Sequence, residues 1–142
     1  MLSKSNRSPQ NLSFLLFLLL FSSESFASAY APVIKISGVN ATTVKKYEKF
    51  EVSLLLERVE FENPFDPADI DVYAEFTAPS GKLIHINGFY DNYMGANQWK
   101  VRFSPGETGN YTYQLFVDDS GMKGESAEAS FTAIDLSFLS LE

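Results

Sequence analysis

From Val33 onward, apolar and polar residues alternate with a period of two over most of the chain. In KYEKFEVSLLLER, Phe50, Val52, Leu54 and Leu56 fall on one side while Lys49, Glu51, Ser53 and Glu57 fall on the other. A strand with one face in a core has this pattern, because successive side chains point to opposite faces. Leu55 departs from it and is expected to cover an edge or a neighbouring loop. IDVYAEFTA sets Ile70, Val72, Ala74 and Phe76 against Asp71, Tyr73, Glu75 and Thr77. PSGK, residues 79–82, then predicts a turn, since proline fixes φ and glycine accepts the positive φ of a reversal. LIHINGF is expected to return antiparallel. WKVRF turns Trp99, Val101 and Phe103 inward, YTYQLFV does so with Tyr111, Tyr113, Leu115 and Val117, and SAEASFTAI offers Ala127, Ala129, Phe131 and Ala133. With VIKISGV at the front and the turn-rich SPGETGN and DDSGMKGE between, the pattern predicts about seven short strands and no helix. Such spacing predicts an all-β sandwich, in which two sheets turn alternate residues into one shared core.

The first 29 residues stand outside this pattern. Lys4 and Arg7 precede the apolar run LSFLLFLLLF, Leu12 to Phe21, and the small residues of SSESFASAY follow. That order predicts a cleavable signal peptide, cut after Ala29 or after Ala27. The apolar run is too short for an anchor, because a bilayer core about 30 Å thick needs roughly 20 helical residues. No membrane span is therefore expected after cleavage. The sandwich is expected to occupy residues 30–135, followed by a short apolar tail, residues 136–142, with Leu136, Phe138, Leu139 and Leu141. Such an end either packs on the sandwich, hangs loose or marks a contact surface.

Residues 30–142 carry 9 basic and 17 acidic side chains, a net charge of −8. Such a surface repels phosphate backbones, so nucleic acid is not an expected partner. The sequence has no cysteine, which excludes disulfides, thiolate metal sites and a cysteine nucleophile. A secreted domain of this kind must hold itself together by packing alone, and a bacterial periplasm or exterior is the expected location. NAT at residues 40–42 and NYT at residues 110–112 match the glycosylation sequon, an accidental match in a bacterial protein.

ETGNYTY puts Glu107, Gly109 and Tyr111 at the spacing of the immunoglobulin-like corner, where a tyrosine hydroxyl bonds back to nearby backbone and pins the turn between sheets. Tyr113 stands where a disulfide-linked antibody domain has cysteine. The expected class is an immunoglobulin-like antiparallel β-sandwich. NPFD (residues 63–66), APSGK (78–82), NGFYD (87–91), WKVRFSP (99–105) and GNYTY (109–113) then form an ordered set. Together they resemble the domain of unknown function 5060 (DUF5060), over roughly Val33 to Ile134. The resemblance implies an immunoglobulin-like module found ahead of a glycoside-hydrolase catalytic domain, and it brings no catalytic residues with it. Relatives of that kind continue into a barrel-shaped hydrolase, whereas this sequence stops at AIDLSFLSLE. The expectation is a shortened relative, a lone module or one that works beside a separately encoded partner.

Candidate chemistry is sparse. His85 is the sole histidine and has no nucleophile motif beside it, whereas a triad needs a base, a nucleophile and an orienting group. Glycoside cleavage needs two carboxyl groups roughly 5 to 10 Å apart, and Asp66, Asp69 and Asp71, or Asp118 and Asp119, are numerous enough to fall at that distance by chance. The first cluster also has the oxygen ligands calcium takes, without the spacing of a helix–loop–helix calcium motif. GFYDNYMGANQW, residues 88–99, holds four aromatic rings and one formal charge. If the strand continues through Phe89 and Tyr90, one of the two points outward. Tyr90, Asp91, Asn92 and Tyr93 have the residue types of a sugar-binding loop, in which a ring meets the C–H face of a pyranose while amide and carboxylate groups reach its hydroxyls. They are equally the residue types of a turn packed on the sandwich. The expected function is a secreted accessory module of carbohydrate-processing proteins, not an enzyme, with no metal or cofactor. It would pack on or orient a glycoside-hydrolase domain; the alternative is a stand-alone carbohydrate-binding module that holds a polysaccharide with its loop aromatics.

Overall fold

The computed structural model describes residues 30–135. The expected signal peptide with its cleavage site, residues 1–29, and the apolar tail, residues 136–142, lie outside the described residues. Ten strands make up the fold: β1 (Val33–Val39), β2 (Thr43–Lys45), β3 (Phe50–Glu57), β4 (Ile70–Thr77), β5 (Leu83–Asn87), β6 (Phe89–Asp91), β7 (Gln98–Phe103), β8 (Gly109–Asp119), β9 (Met122–Glu125) and β10 (Ala129–Ile134). One sheet runs β1-β3-β7-β6, and the other runs β2-β10-β8-β4-β5 with β9 also paired to β8. All pairings are antiparallel except that of β10 with β2. The seven alternating segments of the sequence are all strands. The three additional ones, β2, β6 and β9, have three or four residues each. So short a segment cannot display a period, and it becomes a strand because a longer neighbour offers it an edge.

The two sheets meet as the alternation requires. Phe50, Val52 and Leu54 stand opposite Phe103, Val101 and Trp99, while Val72, Ala74 and Phe76 stand opposite Val117, Leu115 and Tyr113. All of these are buried. Leu55 lies on the outer face across from Lys35, 44% exposed. Phe131 of β10 links the sheets: its ring stacks 3.9 Å from Phe50 and 5.1 Å from Tyr111. Buried rings of this size each remove about 150–250 Å² from water, at roughly 25 cal/mol per Å², so the aromatic cluster supplies what disulfides supply elsewhere.

One inward assignment changes. Ala127 is exposed and precedes β10, where the alternation placed it in the core. The cause is Ser126. Its hydroxyl accepts from the N–H of Leu115 at 3.0 Å, its own N–H donates to the Leu115 carbonyl at 2.9 Å, and its carbonyl accepts from Gln114 Nε2 at 2.8 Å. Ser126 thereby takes the place on β8 between β9 and β10, and Ala127 is carried outward.

Two backbone features shape the ends of the sandwich. The buried Tyr111 hydroxyl accepts a hydrogen bond from the Glu107 N–H at 2.9 Å. The Glu107 carboxylate meanwhile holds the N–H and hydroxyl of Ser80 at 3.1 and 2.8 Å, which ties the turn after β4 to the turn before β8. At Gly88 the chain leaves one sheet for the other between β5 and β6. Its N–H donates to the Val72 carbonyl at 2.6 Å, and a Cβ at this position would lie 2.9 Å from that oxygen. No described helix is long and apolar enough to cross a membrane.

Candidate functional site

The strand of His85 does not run on into Phe89 and Tyr90: β5 ends at Asn87, the two rings belong to β6 in the other sheet, and the register of β6 on β7 decides which of them faces in. Tyr90 stands directly opposite Trp99, which is buried, so Tyr90 shares the inner side. Its ring meets Trp99 at 5.5 Å, Phe65 at 6.0 Å and Phe61 at 6.2 Å, all edge to face. Its hydroxyl donates to Asn97 Oδ1 at 3.2 Å. Phe89 is the outward residue, and the Arg102 guanidinium lies 4.7 Å above its ring.

Asp91 also faces outward, where Lys100 Nζ sits 2.5 Å from one carboxylate oxygen and the Tyr93 N–H donates to the other at 3.0 Å. The lysine first, and that N–H second, hold the Asp91 carboxyl below the usual carboxylate range. The loop beyond it makes one 3-10 turn, Tyr93–Gly95, in which Met94, Gly95 and the following Asn97 all take positive φ. Asn92 is exposed, and Tyr93 and Met94 stand out at the tip, 75% and 89% exposed. The four residues singled out in this stretch therefore occupy three places: Tyr90 on the inner side, Asp91 in an outward ion pair, and Asn92 with Tyr93 at the tip.

Tyr90 lines a cleft of about 220 Å³ with Phe65, Pro67, Asp71, Asn87 and Trp99 among its walls. It opens where β5 ends and the chain crosses at Gly88, leaving the start of β4 without a neighbour on that side. The loop before β4 covers it. That loop is held by its own side chains: Asp69 Oδ2 accepts from the N–H groups of Glu62 and Asn63 at 2.8 and 2.7 Å, Asn63 Oδ1 from Phe65 at 3.1 Å and Asp66 Oδ1 from Ala68 at 3.0 Å. Pro64 and Pro67 fix φ on either side. Phe65 is thereby held at the mouth of the cleft, 67% exposed. Sequence reading did not single it out. The available signal was a phenylalanine between two prolines, which cannot lie on an interior strand and so must cover or decorate something.

The other candidates are placed as follows. His85 Nε2 is 2.9 Å from Asn87 Oδ1, and the imidazole lies 4.6 Å from the Tyr73 ring on the outer face of the larger sheet. Asp66 and Asp69 are engaged with loop backbone. Asp118 Oδ1 accepts from the Gly121 N–H at 2.7 Å, and the buried Asp119 accepts from the Glu60 N–H at 3.0 Å. Among the described residues no group of three or more histidine, aspartate or glutamate side chains is placed to hold a metal ion.

No curated protein matches the chain. Among solved structures, it is similar to a candidate glycoside hydrolase from Bacteroides vulgatus, at 26% identity and a TM-score of 0.48 over 67% of this chain and 16% of that one. It is similar to the cycloalternan-forming enzyme of Listeria monocytogenes, solved with a pentasaccharide substrate, at 21% identity and a TM-score of 0.51 over 70% of this chain and 9% of that one. It is also similar to the Lin-41 filamin domain, at 14% identity and a TM-score of 0.50 over 73% of this chain and 97% of that one. The chain thus spans a small part of the two bacterial proteins. The last two likenesses show the fold alone, and a fold shared by an enzyme segment and a filamin domain does not specify an activity. The family model described as "Domain of unknown function (DUF5060)" matches residues 43–118, more than half of the sequence, and the chain belongs to that family.

Proposed function

We propose that this protein is a secreted or periplasmic, non-catalytic accessory module of carbohydrate processing, an immunoglobulin-like sandwich that packs on a glycoside-hydrolase domain and orients it. The observation that carries this reading is one of size. A sandwich of this fold makes up 9% of the Listeria cycloalternan-forming enzyme, a module-sized share of a chain that acts on saccharides. Family membership agrees with it. Contact between such domains usually covers about 600–1,500 Å². Gel filtration of the chain mixed with a glycoside-hydrolase catalytic domain from the same organism is expected to give a one-to-one complex. Turnover of a glycoside by the purified chain alone, abolished by changing one carboxylate, would overturn the reading.

A second reading, glycan binding through Tyr90, Asp91, Asn92 and Tyr93, is favoured by the bare ring of Tyr93 at the loop tip. Polysaccharides cast into a native gel are then expected to retard the protein, and Tyr93→Ala to restore its mobility. Equal mobility with and without every polysaccharide tested removes this reading and leaves the accessory one standing.

A further inference from the structure

The two outer faces of the sandwich treat their charges differently. On the smaller sheet, Lys35, Lys100 and Arg102 point outward and each is paired, with Glu57, Asp91 and Glu51. On the larger sheet, the register sets Asp71 and Tyr73 of β4 beside Asp118 and Phe116 of β8, with Lys123 and Glu125 of β9 beyond them, and Glu75 follows on β4. The alternate residues Val72, Ala74, Leu115 and Val117 are buried, so these side chains share the outer face. Lys123 is the one lysine or arginine in this set, and it lies 3.7 Å from Asp118. The carboxylates of Asp71, Glu75 and Glu125 have no hydrogen bond or ion pair among the described residues. Asp71 and Asp118 moreover stand directly opposite each other, an arrangement of like charges that destabilises a sheet. A fold that neutralises one outer face and leaves this repulsion on the other breaks a local rule in one place, which is where function is expected.

Rings lie among these charges. Phe116 stacks on Tyr73 at 5.0 Å with 15° between the planes, and His85 lies 4.6 Å from Tyr73. Tyr73 thus has two ring neighbours, while Phe116 has no second one among the described residues. A hollow of about 440 Å³ borders Phe116, Asp118, Lys123 and Glu125. A ring held in place among carboxylates suits an arginine, whose planar guanidinium stacks on an aromatic face while its N–H fork reaches carboxylate oxygens. We propose that this face is the surface by which the module packs on its glycoside-hydrolase domain, and that it meets a basic, arginine-bearing patch there. The proposal rests on the accessory reading above and names the surface that reading leaves open. Complementary charge also fixes how the two domains meet, because juxtaposed like charges are costly. The outer face of the smaller sheet, with its charges already paired, offers no such guide.

The full chain is mixed with the same glycoside-hydrolase catalytic domain, and the dissociation constant is measured by calorimetry at about 50 mM and about 500 mM salt, since salt screens exposed charges. The higher salt is expected to weaken the parent complex at least tenfold, and the double variant Asp71→Asn/Glu125→Gln to weaken it at least tenfold at the lower salt. Phe116→Leu, which keeps apolar bulk and removes the ring, is expected to weaken it at least threefold. Glu57→Gln, on the opposite outer face, is expected to change it by less than twofold. Asp71→Asn removes the like-charge pair with Asp118, so the double variant is expected to melt no lower than the parent, which separates lost binding from lost folding. A complex that forms but is indifferent to Asp71→Asn/Glu125→Gln overturns this face and leaves the accessory reading standing. An unchanged affinity in Phe116→Leu overturns the stacked arginine. Absence of any complex at the lower salt overturns the accessory reading, and this face with it.

Discussion

Phe131→Ala is expected to lower the unfolding free energy by about 3–5 kcal/mol, the range for deleting a fully buried phenylalanine. Its ring is 2% exposed and lies where the two sheets come nearest to sharing one aromatic layer. Phe50 belongs to the smaller sheet and stacks on it at 3.9 Å; Tyr111 belongs to the larger sheet and stacks at 5.1 Å. Phe76 and Phe103 meet it edge-on at 6.4 and 6.3 Å. Removing the ring therefore costs the transfer of its own surface and leaves a hole lined by four rigid rings, none of which bends to fill it. Domains of this size hold only about 5–15 kcal/mol in total, so the loss is a large fraction of stability. Each kcal/mol moves the melting temperature of a small domain by about 4–8 °C, which sets the expected drop at more than about 12 °C. Urea unfolding of parent and variant measures it. A loss under about 1 kcal/mol would mean that the neighbouring rings close the gap, and that the two sheets do not depend on this residue.

The features that decide this core were legible in the sequence because they repeat. Phe50, Val52 and Leu54, or Ile70, Val72, Ala74 and Phe76, show their common face through alternation alone, and the sheets have only to meet. The strands β2, β6 and β9 were not legible. Each is too short for a period and owes its state to the exposed edge of β10, β7 or β8. Ala127 fell outside the core for a similar reason, since Ser126 competes for the β8 backbone with side-chain bonds that no alternation records.

The candidate site follows the same division. Which of Phe89 and Tyr90 faces inward depends on the pairing of Tyr90 with Trp99, and that is set by the length and positive-φ residues of the loop between them. The cleft itself joins residues 64, 65, 67, 70–72, 87–90 and 99, segments brought together only when the chain crosses between sheets at Gly88. Phe65 carries no periodic signal because it lies in a loop, so its exposure and its loop's internal bonds become visible only in three dimensions. The bond from the Glu107 N–H to the Tyr111 hydroxyl spans four residues, and contacts of that range leave a spacing that can be read along the chain.

That local bond leads to the second large effect. Gly109→Ala is expected to cost about 2–4 kcal/mol, from two causes that can be measured apart. Gly109 has a φ of +127°, a region in which a side chain costs of order 1–3 kcal/mol. A Cβ there would also lie 2.9 Å from Pro79 Cγ and 3.1 Å from Pro79 Cβ. Overpacking of that kind adds typically 1–3 kcal/mol when the neighbour cannot turn away, and the proline ring has little freedom to do so. The neighbour is also constrained from beyond, because Ser80, next in sequence, is held by the Glu107 carboxylate through two hydrogen bonds. Any shift of Pro79 would pull on the residue whose N–H bonds to Tyr111. Pro79→Ala removes most of the overlap and none of the φ strain. In the double variant Pro79→Ala/Gly109→Ala, the cost of the alanine at 109 is therefore expected to fall by about 1 kcal/mol or more and to remain above about 1 kcal/mol. An unchanged cost with either residue at 79 would assign the whole penalty to the backbone. A cost that vanished in the double variant would show that the turn into β8 accepts a side chain, and that the glycine is required only by its contact with Pro79.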